Sequence, residues 1–250
     1  MNDAERIARE RDYHNLRFAD DSERETRVGR FYSAIRYGFD LYRSRVSEEA
    51  RNRRVLEYGC GTGSLAFGLT AEAGQVIGID ISDVAIQQAR RAAGLRGLKN
   101  VEFAVDNAEA MHLPDNHVDV VVGSGIVHHL DIPKSMSEVR RVLSQGGIAI
   151  FAEPLAHNPV LNWYRSRTPE LRSPDEHPLT VADLRGMARS FSSVKVTYFG
   201  LVAPILGFFS ADAKSDSLLT RFTWSLDRML CRVPGLNRYA WYCVIELKNG

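Results

Sequence analysis

The chain has few cysteines, almost no net charge and no long hydrophobic run, and each shortage excludes a class of protein. Cys60, Cys231 and Cys243 are the only cysteines among 250 residues, too few and too scattered for a disulfide framework or a zinc site. Lysine and arginine number 32 against 31 acidic residues, and a formal charge of +1 does not favour nucleic-acid binding. We therefore predict no metal site, no nucleic-acid partner and a reducing, cytoplasmic location.

The most apolar stretch, residues 196–211, is interrupted by Gly200, Pro204 and Gly207 and is shorter than the ~20 residues of a membrane-spanning helix. No transmembrane segment is predicted. Residues 201–209 are interpreted as core or as a homodimer contact, with an apolar acceptor pocket or a peripheral membrane contact as alternatives. The first eleven residues mix acids with arginines, so neither a signal peptide nor a transit peptide is predicted there.

The sequence does contain an alternation of strand-like and helix-like segments. Strand patterns occur at 53–58, 75–79, 101–105, 118–123, 148–152, 194–199 and 241–248, and helix patterns at 82–93 and 132–143. Such alternation predicts an α/β three-layer sandwich, with helices covering both faces of a mostly parallel sheet.

No repeat or linker marks a boundary, so we expect one domain over residues 1–250. Residues 1–50 are expected to form a helical lid, 51–153 a core and 154–250 a substrate-side part with an inserted helix over 215–232. An amphipathic helix is predicted over 23–46, broken near Gly38.

A glycine-rich turn follows the first predicted strand. Gly59, Gly61 and Gly63 allow positive φ angles and let a ligand approach the backbone, and an acidic residue, Asp80, ends the next strand about 20 residues later. A dinucleotide fingerprint needs its third glycine one position further on. The spacing therefore counts against NAD, although Asp80 would suit a ribose in either case.

Five motifs in this region resemble those of the class I S-adenosylmethionine-dependent methyltransferases, in particular the ubiquinone-biosynthesis-like subgroup. They stand in family order over residues 53–153. The motifs are Glu57–Gly63, Gly78–Ser82, Asp106–Glu109 with Leu113–Asp119, Ser124–Leu130 and Leu143–Gly147.

The resemblance implies a Rossmann-like, seven-stranded, mostly parallel sheet with an antiparallel last strand, and S-adenosyl-L-methionine as cofactor. It also implies how the cofactor is held: the glycine turn passes under its methionine portion, Asp80 binds its ribose, and Ile81 packs on its adenine. Asp106 and Ala108 would contact the edge of the adenine. The full set of expected cofactor-binding residues is Tyr58, Gly59, Gly61, Gly63, Asp80, Ile81, Asp106, Asn107, Ala108 and Ser124.

Two adjacent histidines, His128 and His129, follow the fourth strand beside the expected position of the methyl group. One of them is predicted to act as a base or to orient the acceptor, because an imidazole titrates near neutral pH. The other histidine is expected to serve as a cap or to pack against neighbouring residues. Expected substrate-side residues are Tyr13, His14, Tyr32, Glu153 and Arg165, of which Glu153 is interpreted first as a loop anchor.

The predicted function is methyl transfer to oxygen, carbon or nitrogen of a small-molecule acceptor, with an apolar or lipid-like acceptor as one option. Two alternatives stay open. The first is an NAD(P)-dependent oxidoreductase on a dinucleotide fold, and the second is a non-catalytic cofactor-binding module that holds a partner.

Overall fold

A computed structural model describes residues 3–19, 29–168, 173, 175–209 and 217–250. Its centre is a seven-stranded sheet in the order β3-β2-β1-β4-β5-β7-β6. The strands are β1 (Arg54–Tyr58), β2 (Gln75–Asp80), β3 (Val101–Val105), β4 (Val118–Ser124), β5 (Leu143–Pro154), β6 (Ser193–Phe199) and β7 (Tyr242–Lys248). Only β7 runs antiparallel to its neighbours β5 and β6, which confirms the predicted sheet.

Helices lie on both faces of the sheet, as predicted for a three-layer sandwich. They are α1 (Asp3–Ala19), α2 (29–34), α3 (Arg36–Ala50), α4 (Ser64–Leu69), α5 (Asp83–Leu95), α6 (Ile132–Val142), α7 (Pro159–Arg167), α8 (Val181–Ser190), α9 (Leu206–Phe209) and α10 (Leu218–Leu230). One apolar cluster joins the sheet to α3, α4, α5 and α10, and a second joins the opposite face to α6 and α8.

The strand order reverses next to β1, which pairs with β2 on one side and β4 on the other. Both pairings are parallel, so the carboxyl ends of the three strands meet at one edge of the sheet. In open parallel sheets ligands bind outside such an edge at the point of reversal. The fold therefore places the glycine turn, Asp80 and Ser124 where a ligand site is expected.

The predicted helix over residues 23–46 differs from the structure, in which α2 ends before Ile35 and α3 begins at Arg36. Residues 23–28 lie outside the described part. The predicted break is present but lies at Ile35, three residues before Gly38, which is inside α3. A Cβ atom there would meet the ring of Phe199 at 2.0 Å, so the glycine permits close packing of α3 on β6.

Two helices, α7 and α8, occupy regions for which the sequence analysis predicted no helix. The amide hydrogens of Val160 and Leu161 at the start of α7 bond to the side chain of Asn158, and Thr180 with Asp183 forms a capping box on α8. These short polar caps stabilise helix starts that hydrophobic periodicity alone does not reveal.

The stretch 201–209 does not form the apolar acceptor pocket that was one interpretation. Ala203 and Leu206 are buried in the core, whereas Ile205 and Phe208 are exposed, and none of the described side chains here lines the cavity introduced below. Exposed apolar side chains continue along α10 at Leu218, which is 81% exposed. Within the described segments, no helix has the length and apolar character needed to cross a membrane.

Glu57 on β1 is a buried carboxyl group beneath the glycine turn. It accepts a hydrogen bond from the Ala66 amide in the first turn of α4. Burial raises its pKa to about 8, although the Ala66 hydrogen bond acts in the opposite direction. The folded protein therefore holds a proton on Glu57 at pH values where an unfolded chain has lost it.

Glu57→Gln is expected to flatten the pH dependence of stability. A raised pKa stabilises the folded state fully below the ordinary value of 4.5, and this stabilisation is lost as pH rises towards about 8. Within that window Glu57 should lower the wild-type free energy of unfolding by about 1.4 kcal/mol per pH unit. Urea unfolding between about pH 5 and pH 8 measures both slopes, with Glu102→Gln on the exposed side of β3 as control. Equal slopes for wild type and Glu57→Gln would contradict the assignment.

Candidate active site

The glycine turn after β1 has the backbone geometry that its sequence predicts. Gly59, Gly61 and Gly63 have φ angles of 72°, 51° and 83°, a region that favours glycine. The carboxylate of Asp80 accepts hydrogen bonds from Gly61 N at 2.8 Å and Ser82 N at 2.9 Å. Asp80 thus ties the turn to the end of β2 while it lines the cavity.

Close packing explains why glycine stands at two positions of this turn. A Cβ atom on Gly59 would lie 2.7 Å from Ile126 Cγ1, and one on Gly61 would lie 3.0 Å from the ring of Phe18 on α1. Glycine at these positions therefore lets Ile126 and Phe18 pack against the backbone of the turn. Gly59 and Asp80 both line the cavity, and a carboxylate there fits a nucleoside whose ribose hydroxyls need acceptors.

The loop after β3 forms the next wall. Asp106 accepts hydrogen bonds from its neighbours Asn107 N and His112 N, so its carboxylate shapes its own turn. Tyr58 is fully buried, and its hydroxyl donates to Ala108 O, which supports the loop from below. The cavity is therefore lined by Asp106, Asn107 and Ala108 but not by the Tyr58 ring.

A cavity of about 970 Å³ extends from these loops across the sheet edge, at the upper end of the ~300–1,000 Å³ typical of ligand pockets. Its second half is lined by aromatic, imidazole and guanidinium groups. These include Tyr32, Arg36, His128, His129, Tyr164, Arg165, Trp241 and Tyr242. One continuous cavity thus joins a half whose lining suits a nucleoside to a half lined by ionisable and aromatic groups.

Glu153 on β5 holds the histidine loop in place. It is fully buried; its Oε1 accepts the amide hydrogens of Ile126 and Val127, both at 3.0 Å, and its Oε2 lies 2.7 Å from His128 Nδ1. The loop-anchor interpretation of Glu153 therefore agrees with its contacts, and it does not line the cavity. Because Nδ1 of His128 is engaged, Nε2 is the nitrogen that can face a ligand.

His129 points instead towards α1. Its Nδ1 lies 3.3 Å from both Glu10 Oε2 and Ser173 Oγ, and its ring makes an edge contact with His14 at 5.2 Å. Burial lowers the pKa of His129, although its contact with Glu10 opposes this.

Polar contacts hold α1 over the cavity. Arg6 binds both carboxylate oxygens of Glu109 at 2.6 and 2.8 Å, and Arg9 makes a bidentate pair with Asp175. Further along, Asn15 bonds to the Ser82 hydroxyl and to Asp83. The helix is therefore a lid attached mainly by charge and hydrogen bonding.

The structure brings most of the predicted site residues to one cavity. Those that line it are Gly59, Asp80, Ile81, Asp106, Asn107, Ala108, Ser124, His14, Tyr32, His128, His129 and Arg165. Gly61 and Gly63 shape the turn below. Tyr13 lies beside His14 at a ring distance of 5.4 Å but does not line the cavity.

Several lining residues, Glu10, Arg36 and Trp241 among them, were missed by the sequence analysis. Glu10 lies four residues before the predicted His14 on α1, a spacing that places both on one helical face. Recognition of α1 as a helix would have revealed Glu10 beside His14. Arg36 and Trp241 carry no local signal, because only the tertiary fold brings α3 and the start of β7 to the cavity.

Comparison with known proteins agrees with this geometry. The family model described as a methyltransferase domain matches residues 49–180, more than half of the chain. The chain therefore belongs to the methyltransferase domain family.

Two curated relatives and one solved structure illustrate the similarity. The uncharacterized methyltransferase YcgJ of Bacillus subtilis is 30% identical over 132 residues, covering 52% of either chain. Aklanonic acid methyltransferase DauC of Streptomyces sp. is 35% identical over 114 residues, covering 44% of this chain and 52% of DauC. The chain thus matches about half the length of these relatives.

One structural neighbour of this chain is a crystal structure from Thermotoga maritima, described as a SAM-dependent methyltransferase and possible histamine N-methyltransferase. It has a TM-score of 0.63 at 18% identity and covers 95% of this chain and 99% of that one. At this identity the similarity shows a shared fold.

Arg6→Ala is expected to loosen the α1 lid. A hydrogen-bonded charge pair contributes about 1.5–3 kcal/mol, so its loss should raise the open fraction about 10- to 150-fold. Hydrogen exchange of amides in residues 3–19, followed by mass spectrometry, measures this change. Arg11→Ala, on the exposed side of the same helix, serves as control. Unchanged exchange in Arg6→Ala would show that the Glu109 pair does not hold the lid.

Proposed function

We propose that the protein transfers a methyl group from S-adenosylmethionine to a small-molecule acceptor held beside His128. The observation that carries this proposal is the continuous cavity, which joins the glycine turn and Asp80 to the histidine loop. The membership in the methyltransferase family supports the same reaction class. When bound, S-adenosylmethionine supplies an activated methyl group on a sulfonium centre.

The donor half of the cavity is built from backbone and carboxylate. Gly59 offers a surface without side chains, and Asp80 keeps acceptor capacity for two ribose hydroxyls beyond the two amide hydrogens that it already binds. Ile81 and Ala108 supply apolar contacts on the adenine side. This division of roles follows the expectation from the family motifs.

The acceptor half favours a molecule with an apolar or aromatic body and an anionic group. Tyr32, Tyr164 and Trp241 offer ring faces, and Arg36 and Arg165 bring positive charge to the same wall. A guanidinium group binds carboxylate or phosphate oxygens with matched geometry. The relative DauC is named as an aklanonic acid methyltransferase, and an acid is compatible with this chemistry.

Among the two histidines, the contacts favour His128 as the general base. Glu153 binds Nδ1 and thereby fixes the tautomer that leaves Nε2 as acceptor, in the way a carboxylate orients a catalytic imidazole. His129 is turned towards Glu10 and Ser173 and would position the lid. The base removes a proton when the acceptor atom carries one, and α1 excludes water during the transfer.

Asp80→Asn is expected to weaken binding of S-adenosylhomocysteine by about 1–3 kcal/mol, or about 5- to 150-fold, because charged hydrogen bonds to the ribose are lost. Isothermal titration calorimetry measures the affinity, with Asp12→Asn on the exposed face of α1 as control. A parallel titration with NADH tests the oxidoreductase alternative. Binding of NADH without binding of S-adenosylhomocysteine would overturn the proposed function.

His128→Gln is expected to lower kcat by about 10²- to 10⁴-fold for a hydroxyl or carbon-acid acceptor, with S-adenosylhomocysteine affinity unchanged. His117→Gln, a histidine at the opposite, amino end of β4, is the matched control. A wild-type rate in His128→Gln would remove this histidine from the reaction.

A further inference from the structure

A cluster of one carboxylate and two imidazoles lies at the joint between α1 and the core. Among the residues of α1, all of which the structure describes, Glu10 alone is buried, at 5% exposure. His14 lies one helical turn further along on the same face, and His129 approaches from the histidine loop. The ligand atoms of these three residues all lie within 4.8 Å of one another.

The distances within this cluster suit a bound ion better than direct hydrogen bonds. Glu10 Oε2 lies 3.3 Å from His129 Nδ1 and 3.4 Å from His14 Nε2. Charge-assisted N–H to carboxylate hydrogen bonds measure about 2.7–2.9 Å. Ligand atoms placed tetrahedrally about 2.0–2.1 Å from a zinc-type ion are separated by about 3.3–3.4 Å, the spacing observed here.

The two oxygens of the Glu10 carboxylate differ in their contacts. Oε1 accepts the Ser173 hydroxyl, whereas Oε2 makes only the two long contacts with the imidazole nitrogens and has no hydrogen bond of ordinary geometry from the described residues. A buried carboxylate oxygen with only such long contacts is costly. A cation between Oε2 and the imidazole nitrogens would satisfy it.

We propose that Glu10, His14 and His129 bind one divalent transition-metal ion and leave a coordination position open to the cavity. Two imidazoles with one carboxylate suit Zn²⁺, Co²⁺, Fe²⁺ or Ni²⁺, whereas Mg²⁺ and Ca²⁺ prefer sites made of oxygen. The absence of paired cysteines, which led the sequence analysis to expect no metal, does not bear on a site of this kind.

The surroundings of the cluster are compatible with an ion. Ser173 Oγ also lies 3.3 Å from His129 Nδ1, while its hydroxyl donates to Glu10 Oε1. His128 and Glu176 lie next to His129 on the cavity side.

Such an ion would have two consequences. It would link α1 to the core, since two ligands come from the lid and one from the histidine loop. It would also present a Lewis acid to the acceptor half of the cavity, where an acceptor oxygen could occupy the open position. The second consequence rests on the proposed methyltransferase function, whereas the first does not.

The test uses Co²⁺ as the probe, added to the full chain after removal of bound metal with a chelator. Calorimetry and visible absorption should report one ion per chain with micromolar or tighter affinity. Glu10→Gln, His14→Gln and His129→Gln should each weaken binding at least tenfold. Glu5→Gln, an exposed glutamate on the same helix, should bind as the wild type does.

A second readout follows the lid itself. Zn²⁺ should slow hydrogen exchange of residues 3–19 in the wild type and in Glu5→Gln, but not in His14→Gln. No Co²⁺ binding to the wild type, or binding that survives all three ligand substitutions, would overturn the proposal. Co²⁺ binding to the wild type alone decides whether the chain holds an ion, so a variant that fails to fold does not obscure that result. Neither measurement uses a methyl donor or acceptor. A failure of the metal proposal is therefore distinct from a failure of the methyltransferase assignment.

Discussion

The burial of the Glu153 carboxylate is the constraint on which the acceptor half of the site depends. A carboxylate inside the sheet is tolerated only when hydrogen bonds replace its hydration. Glu153 obtains them from two loop amides and His128, all on the segment that follows β4. The requirement to satisfy one buried carboxyl group therefore fixes the course of the loop, the orientation of the His128 ring and, through the next residue, the direction of His129.

Polar interactions continue from this loop to the first helix. His129 faces Glu10, the single buried side chain of α1, and the helix also contacts the core through ion pairs and through amide or hydroxyl hydrogen bonds. Apolar burial, by contrast, dominates the attachment of α3, α6 and α10 to the sheet. Charged contacts at a surface are screened by salt. We therefore expect the docking of α1 to depend more on ionic strength than the docking of those three helices.

The sequence predicted what short-range patterns encode. Runs such as Val118 to Val122 identified the buried strands, and the glycine spacing identified the turn and its positive φ angles. Polar pairs between segments that are distant in sequence could not be predicted from these short-range patterns. Nothing local indicates that Arg6 meets Glu109 or that Glu10 meets His129, since these pairs depend on where α1 docks. The same limit explains the misplaced break near Gly38, where packing against Phe199 accounts for the glycine.

The position of α1 has a consequence for how the two ligands exchange. Phe18 lies over the glycine turn and Glu10 over the histidine loop, so one rigid helix covers both halves of the cavity. Spent donor and modified product would then leave through a common gate. Turnover would be timed by detachment of this helix, and the two departures would be kinetically coupled even though the molecules share no direct contact.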